Sequence, residues 1–512
     1  MTIMTTAKAP IEAKQERPPV IAIMGHIDHG KSKLLDYIRQ TNIVDSESGG
    51  ITQHTSAYEV IHKNQNGEDK KITFLDTPGH AAFETMRERG AIICDIAILI
   101  VSAEEGAKTQ TVEAYNSIKN SNKPFIVAFS KIDKPNANLE RAKQSLAENN
   151  ILVEGYGGNI PWLGIDSKNG TGVSELLDLV LLVAEMEELT GQMEKPAEGF
   201  VLETSLDPKT GITATVIIKD GIMKTGDFIV IGGVSAKIKR LENFLGQQSL
   251  DLAFSSPAKI YGFCKMPEIG AEFIDTTDKK EAEEMTEKFH QEKIIGKMTI
   301  GISADCDGLE KLNIPLVIKT DTAGTKEAVE KEISQIAHDR ATFKIIESGI
   351  GAISENDVKI LSGGEIPGVI IGFRVKAERG ANDLAEKFGI AIETNDVIYK
   401  LTEWLQAELG QRAPKVTSEE MTGRAKILKT FNRNKDKQVI GGAVLSGKIS
   451  RGDQFKIIRR ETEIGRGKIV GLQQQKNKVN VAEEGVQFGA EVESKFEIAT
   501  SDFIEAFELV TK

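Results

Sequence analysis

The residues best placed to do chemistry in this 512-residue chain are Gly25-His26-Ile27-Asp28-His29-Gly30-Lys31-Ser32. They follow an apolar run, Val20-Ile21-Ala22-Ile23-Met24, and precede a helical pattern through Leu34, Leu35 and Ile38. A buried strand that turns through glycines into a helix start aims several backbone N–H groups at one point, where the helix dipole also favours negative charge. Such a turn suits polyphosphate. Gly25 and Gly30 permit the tight path, and His26, Asp28 and His29 complete the loop around the phosphates. Lys31 reaches the β- and γ-phosphates, and the Ser32 hydroxyl can ligate Mg2+. Downstream, Asp76-Thr77-Pro78-Gly79-His80 comes directly after the strand Ile72-Thr73-Phe74-Leu75. That position puts Asp76 near the magnesium ion through water and offers the Gly79 N–H to a γ-phosphate. His80 is then the candidate to position an attacking water. In Gly49-Gly50-Ile51-Thr52-Gln53, the Thr52 hydroxyl is expected to close on the metal.

A phosphate loop does not choose between ATP and GTP, so the base-reading residues decide. In Phe129-Ser130-Lys131-Ile132-Asp133 the Asp133 carboxylate can accept from the N1 and N2 donors of guanine while the Lys131 stem packs on the ring. Adenine has no such donor pair, so GTP and GDP are the expected ligands. Ser130 stands where the usual guanine-reading motif has Asn. Its shorter hydroxyl makes fewer contacts, which predicts lower affinity with guanine preference retained. Ile165-Asp166-Ser167-Lys168 supplies a second loop for the base, with Asp166 an atypical residue there.

The elements that must hold these residues are legible as alternating textures. Composition is that of a globular protein, 40% hydrophobic and 27% charged, and its length predicts about three to five domains. No apolar stretch is long enough to span a bilayer. The three cysteines, Cys94, Cys264 and Cys306, are too scattered for disulfides or zinc, which predicts a reducing, cytoplasmic setting. Met1 to Pro18 reads as a disordered leader. Residues 19–190 carry near-continuous apolar strands between helical patterns, the mark of a parallel sheet covered on both faces. Residues 197–275 change to short strands with glycine turns, a β-barrel. A charged connecting helix at 276–298 leads to a second α/β domain at 310–395, then a linker helix at 396–413 and a C-terminal β-barrel at 415–512. The fold class is therefore multidomain α/β plus β. The turns Asp220-Gly221 to Gly226-Asp227 and Ser446-Gly447 to Gly452-Asp453 share a loose motif that hints at internal duplication. The chain is acidic, with a formal charge of −12, yet Arg424 to Lys478 holds 15 lysines and arginines against four acidic residues, a local +11. Such a segment can attract a phosphate backbone.

At this point the chain resembles the translational GTPases, and its wording is closest to the bacterial translation initiation factor 2 family. The likeness lies in Gly25 to Lys31, Gly49-Gly50-Ile51-Thr52-Gln53-His54, Phe74 to His80 and Lys131-Ile132-Asp133-Lys134-Pro135. It continues through Ser348-Gly349-Ile350-Gly351-Ala352-Ile353 and Ile370-Ile371-Gly372-Phe373. The resemblance implies a GTPase that places formylmethionyl initiator tRNA on the small ribosomal subunit and promotes subunit joining, with hydrolysis triggered by the ribosome. It implies that His80 works behind a hydrophobic gate of Ile27 and Ile51, and that the last barrel holds the aminoacyl end of the tRNA, with Lys448, Arg451, Phe488 and Gly489 as pocket candidates. One departure falls in that barrel: Gln487-Phe488-Gly489 stands where the family typically has Glu-Cys-Gly. The long amino-terminal extension common in bacterial members is not seen, so a compact version of the factor is expected; monomer is the default expectation, and neither a membrane nor DNA is an expected partner. A specialised elongation factor and a metabolic GTPase subunit are the alternatives. The second α/β domain, with the basic final barrel, favours initiation.

Overall fold

The computed structural model describes residues 14–40, 53–297, 312–338, 340–364, 366–413, 417–434, 436–475 and 477–511. By contact density the chain divides into two compact units, Met1–Arg412 and Ala413–Lys512.

The first unit begins with the nucleotide domain. Its strands are β1 (Gln15–Glu16), β2 (Val20–Gly25), β3 (Ser56–Lys63), β4 (Asp69–Asp76), β5 (Ile96–Ser102), β6 (Phe125–Ser130), β7 (Trp162–Gly164) and β8 (Thr190–Gly191). Its helices are α1 (Lys31–Arg39), α2 (Glu84–Ile93), α3 (Thr109–Ser121), α4 (Leu139–Glu148) and α5 (Val173–Met186). Six strands form one sheet in the order β3-β4-β2-β5-β6-β7, parallel except for the β3–β4 pair. Strands β2 and β5 are buried along their whole length because helices cover both faces, which is why they read as unbroken apolar runs.

The leader is a correction. Residues 14–18 are ordered: β1 pairs with β8, and Arg17 makes a bidentate pair with Asp95 at 2.6 and 2.7 Å. Lys219, on the strand Gly211–Asp220, reaches the same carboxylate at 2.6 Å. The expected disorder over 1–18 therefore fails from residue 14, and residues 1–13 lie outside the described residues. The Ser255 hydroxyl adds a bond to the Pro18 carbonyl and the Thr73 hydroxyl one to the Ser255 carbonyl, both 2.6 Å, so the barrel is fixed to the nucleotide domain.

In that barrel an eight-stranded antiparallel sheet, running from Glu198 to Thr276 in sequence, wraps a core of Val216, Ile218, Ile229, Ile260 and Phe273. Helix α6 (Lys279–Lys297) follows and packs along its strands Phe228–Ile231 and Val234–Lys237 rather than standing apart as a connector. The second α/β domain has four parallel strands in the order 341–350, 312–320, 369–373, 391–395. Its helices are α7 (Ala323–Ser334), α8 (Glu355–Ser362), α9 (Arg379–Phe388) and α10 (Ile398–Arg412). Helix α10, expected to be a linker, buries Ile398, Leu401, Leu405 and Leu409, three of them in the core beneath the sheet. The three- and four-residue spacing gives it one apolar face, and that face is committed to this domain.

The second unit is a β-barrel. Six strands close in the order 454–459, 503–511, 417–434, 437–447, 487–494, 462–474, with the last pairing back on the first. The suspected repeat has a conformational basis: Gly221 and Gly447 sit at φ 80 and 70°, Gly226 and Gly452 at 106 and 101°. Each pair brackets the same short strand and precedes a longer one.

Candidate functional site

The phosphate loop occupies the turn between β2 and α1. Gly25 has φ +142°, and a Cβ there would stand 2.4 Å from the Ile100 carbonyl oxygen, so only glycine fits. Gly30 caps α1 in the left-handed region at φ 90° without a side-chain cap, which turns the first N–H groups of the helix toward the loop. Lys31 is buried and donates to the carbonyls of Gly25 at 2.8 Å and His26 at 2.7 Å. Burial pulls its ammonium down to about 8 against the opposing charge of Asp76. A Cβ on Gly79 would lie 2.2 Å from the Lys31 Nζ, so the strand-end motif and the phosphate loop converge on one ammonium. Asp76 ends β4, buried, in register with Ile23 of β2, and the Thr77 hydroxyl donates to the Ile23 carbonyl at 2.8 Å. Asp76 and Ser32 bring hard oxygen donors to the loop, a donor set that suits Mg2+, which binds through one or two protein oxygens with phosphates completing its shell. Thr52, the third expected ligand, and Ile51 of the gate lie outside the described residues.

The remaining loop residues have structural partners that sequence spacing does not reveal. Burial, then the neighbouring His26, depresses His29 to about 3, and its Nδ1 accepts from the Ser102 N–H. The Ile27 N–H donates to the Gln110 side chain at 3.0 Å, so α3 fixes the loop at Ile27. Ser130 donates its hydroxyl to the His29 carbonyl. The proton expected for the base is thus used to join the phosphate loop to the end of β6. Lys131 follows at φ 61°, and the Ile132 N–H meets the Ile165 carbonyl at 3.5 Å, which sets the two base loops side by side. Asp133 and Lys168 are exposed at the rim. The Asp166 carboxylate accepts from the N–H groups of Lys168 and Asn169 and from the Asn169 amide, a closed Asx turn that shapes the second base loop. Ser167, next to it, has its hydroxyl oxygen buried.

The contacts of His80 are with the turn that follows it and with α10. It caps the 3-10 turn Ala81–Phe83, its Nδ1 accepting from the Ala82 N–H at 2.9 Å, so the ring carries its proton on Nε2. Its ring meets Tyr399 of α10 edge-on, centroids 4.2 Å apart. Burial, reinforced by Arg87, pulls the imidazole down to about 4, so it is neutral near pH 7. Arg87, itself almost fully buried, donates to the His80 carbonyl and pairs with Glu113 at 3.1 Å. Neither Tyr399 nor Arg87 carries a local sequence signal for this role.

In the C-terminal barrel the pocket assignment changes. Phe488 is 4% exposed in the barrel core, its ring over Gly442, whose Cβ would lie 3.0 Å from it. It is a core residue and does not line a surface pocket. Gly489 faces outward opposite Gly441, and Lys448 and Arg451 are exposed on the turn 447–453. The local charge is also diluted, since Glu419, Asp502 and Glu505 pair with Lys456, Arg466, Arg459 and Arg424.

Three family profiles match successive parts of the chain. They are the Elongation factor Tu GTP binding domain over residues 16–186, Elongation factor G domain 2 over 196–276 and Translation-initiation factor 2 over 302–406. The chain is 38% identical to Translation initiation factor IF-2 of Halothermothrix orenii, over 99% of this chain and 74% of that protein. It is 39% identical to IF-2 of Thermosipho africanus, over 96% of this chain and 71% of the relative. With IF-2 of Carboxydothermus hydrogenoformans the identity is 37%, over 97% of this chain and 60% of the relative. The nucleotide pocket described above therefore sits in a chain that belongs to the translation initiation factor IF-2 family, a GTPase of translation initiation.

Proposed function

We propose that this factor binds GTP with Mg2+, delivers formylmethionyl initiator tRNA to the small ribosomal subunit, promotes subunit joining and hydrolyses GTP when the ribosome triggers it. The single observation that carries the catalytic part is the convergence of Lys31, Gly79 and Asp76 at the loop between β2 and α1. In this reading Lys31 exchanges the carbonyls of Gly25 and His26 for phosphate oxygens, and the Gly79 N–H reports on the γ-phosphate. Mg2+, held by Ser32, Thr52 and, through water, Asp76, supplies charge neutralisation at the phosphates. Lys131 and Asp133 flank the guanine. His80 leaves its cap position to orient the attacking water, and as a neutral imidazole it offers both a donor and an acceptor nitrogen. The exposed Lys426, Lys429, Lys448, Arg451 and Lys468 of the last barrel supply the attraction for tRNA phosphates.

The test is His80→Ala. Nucleotide affinity should stay within about twofold while ribosome-stimulated hydrolysis falls by orders of magnitude. Unchanged stimulated turnover would remove His80 from the reaction. For the tRNA, binding of formylmethionyl-tRNA, methionyl-tRNA and deacylated tRNA to the full chain at two salt concentrations separates end recognition from the phosphate contribution.

A further inference from the structure

The second α/β domain holds both segments that flank the expected γ-phosphate. On one side, the Gln53 amide donates to the Asp396 carbonyl at 2.9 Å and His54 pairs with Asp321 at 3.1 Å. These residues follow Thr52, the proposed metal ligand. On the other side, the ring of His80 rests against Tyr399, three residues past Asp396 at the start of α10. The grip continues through Lys331 with Glu84, Arg89 with Glu327 at 2.6 Å, and a shared apolar core in which Ala82, Phe83 and Met86 pack with Ile398, Leu401 and Leu405. One helix start, residues 396–399, therefore contacts both segments.

We infer that Tyr399 is a positioning residue which holds His80 in its cap position against α10, so that docking of the second α/β domain sets the rate of GTP hydrolysis in the absence of the ribosome. The inference rests on the reading of His80 as the water-orienting residue. An aromatic edge contact biases a two-state position by roughly two- to tenfold, and its loss raises the competent population by that factor. Tyr399 is 40% exposed, so its truncation leaves a small defect in packing.

The experiment measures GTP hydrolysis by the full chain, alone and with ribosomes, for wild type, Tyr399→Ala, Tyr399→Leu, Tyr399→Phe and His80→Ala, with the affinity for GTP measured for each. Tyr399→Ala and Tyr399→Leu should raise the factor-alone rate roughly two- to tenfold at unchanged affinity. Tyr399→Phe, which keeps the ring edge, should restore the wild-type rate. Adding His80→Ala to Tyr399→Ala should erase the gain, which shows that Tyr399 acts through His80. A factor-alone rate in Tyr399→Ala and Tyr399→Leu that stays at or below wild type overturns the inference, as does a gain that survives the loss of His80. Failure of the catalytic reading shows separately, as normal ribosome-stimulated turnover in the single variant His80→Ala.

Discussion

Replacing Asp95 by Asn should destabilise the first unit by about 3–4 kcal/mol. The carboxylate is 5% exposed and is gripped by the Arg17 guanidinium at 2.6 and 2.7 Å and by the Lys219 ammonium at 2.6 Å. Burial pushes its pKa up, and the two cations more than offset that, bringing it from 3.8 to about 2. A depression of nearly two units is worth about 2.5 kcal/mol at 1.36 kcal/mol per unit. Asn removes that attraction and also leaves Arg17 and Lys219 facing each other with no anion between them, which moves the total into the range for breaking a buried pair. The sign with pH is definite. A depressed carboxylate stabilises fully above its unfolded pKa of 3.8 and loses that contribution as pH falls toward about 2, so from pH 7 to 5 this group adds no slope. The assay is urea unfolding in a Trp404→Phe background, where Trp162 of β7 is the remaining tryptophan and reports on the nucleotide domain. Arg17→Met, which removes only one cation, should cost less, and the double variant should show a coupling above about 1 kcal/mol. A loss below about 1 kcal/mol for Asp95→Asn, or strict additivity with Arg17→Met, would refute the claim that the leader is tied down by this cluster.

Three further outcomes follow from individual contacts. Ser130→Ala should weaken GDP binding about fivefold, the equivalent of one hydrogen bond near 1 kcal/mol, because the phosphate loop loses its tie from the His29 carbonyl to β6; isothermal titration at constant salt measures it. Glu203→Gln should stabilise the first unit above pH 6 by up to about 2 kcal/mol. Burial raises that carboxyl from 4.5 to about 6 against the N–H groups of Gly324 and Thr204, so its favourable contribution is complete below 4.5 and lost as pH rises through 6. Parallel urea titrations at pH 5 and 8 should show the variant's advantage growing with pH to its full value at pH 8. Gly442→Ala should destabilise the C-terminal barrel by about 1–3 kcal/mol, since its Cβ would press the Phe488 ring at 3.0 Å and the Lys426 carbonyl at 2.8 Å; circular dichroism melts of the full chain should show the transition of the C-terminal barrel moving alone, since residues 413–512 form their own compact unit.

What sequence could and could not say divides along the distance over which each feature is set. The phosphate loop was legible because glycine positions, a flanking strand and a helix start are local, and each demands its backbone geometry within a few residues. Thr322 and Thr325 form a reciprocal cap that begins α7 at Ala323, likewise a signal set within a few residues. Arg17 is different. Its partner Asp95, at the start of the neighbouring strand β5, is 78 residues away in sequence, and a lone arginine among Glu and Pro residues carries no mark of a buried pair.

The two base loops show why a motif position need not be a ligand position. Ser130 and Asp166 each sit where spacing puts a base contact, but each polar group is satisfied by backbone first, Ser130 by the His29 carbonyl and Asp166 by its own turn. A short side chain reaches the nearest partner, and in both loops that partner is main chain; the substitutions therefore alter how firmly the pocket is shaped as well as what touches guanine. Phe488 makes the same point in reverse. Read as a member of a triplet it lines a pocket, whereas read with Ala490 and Val492 it belongs to the alternating buried set of a strand whose outward residues are Gln487, Gly489 and Glu491. Period-two alternation was present in the sequence, and it outweighs the triplet because a misplaced Phe would move every neighbour to the wrong face. The glycine at 442 is the compensation that lets a large ring enter the core. On the opposite face of the same strand pair Gly441 and Gly489 stand across from each other, with no side chain of their own to cover that surface.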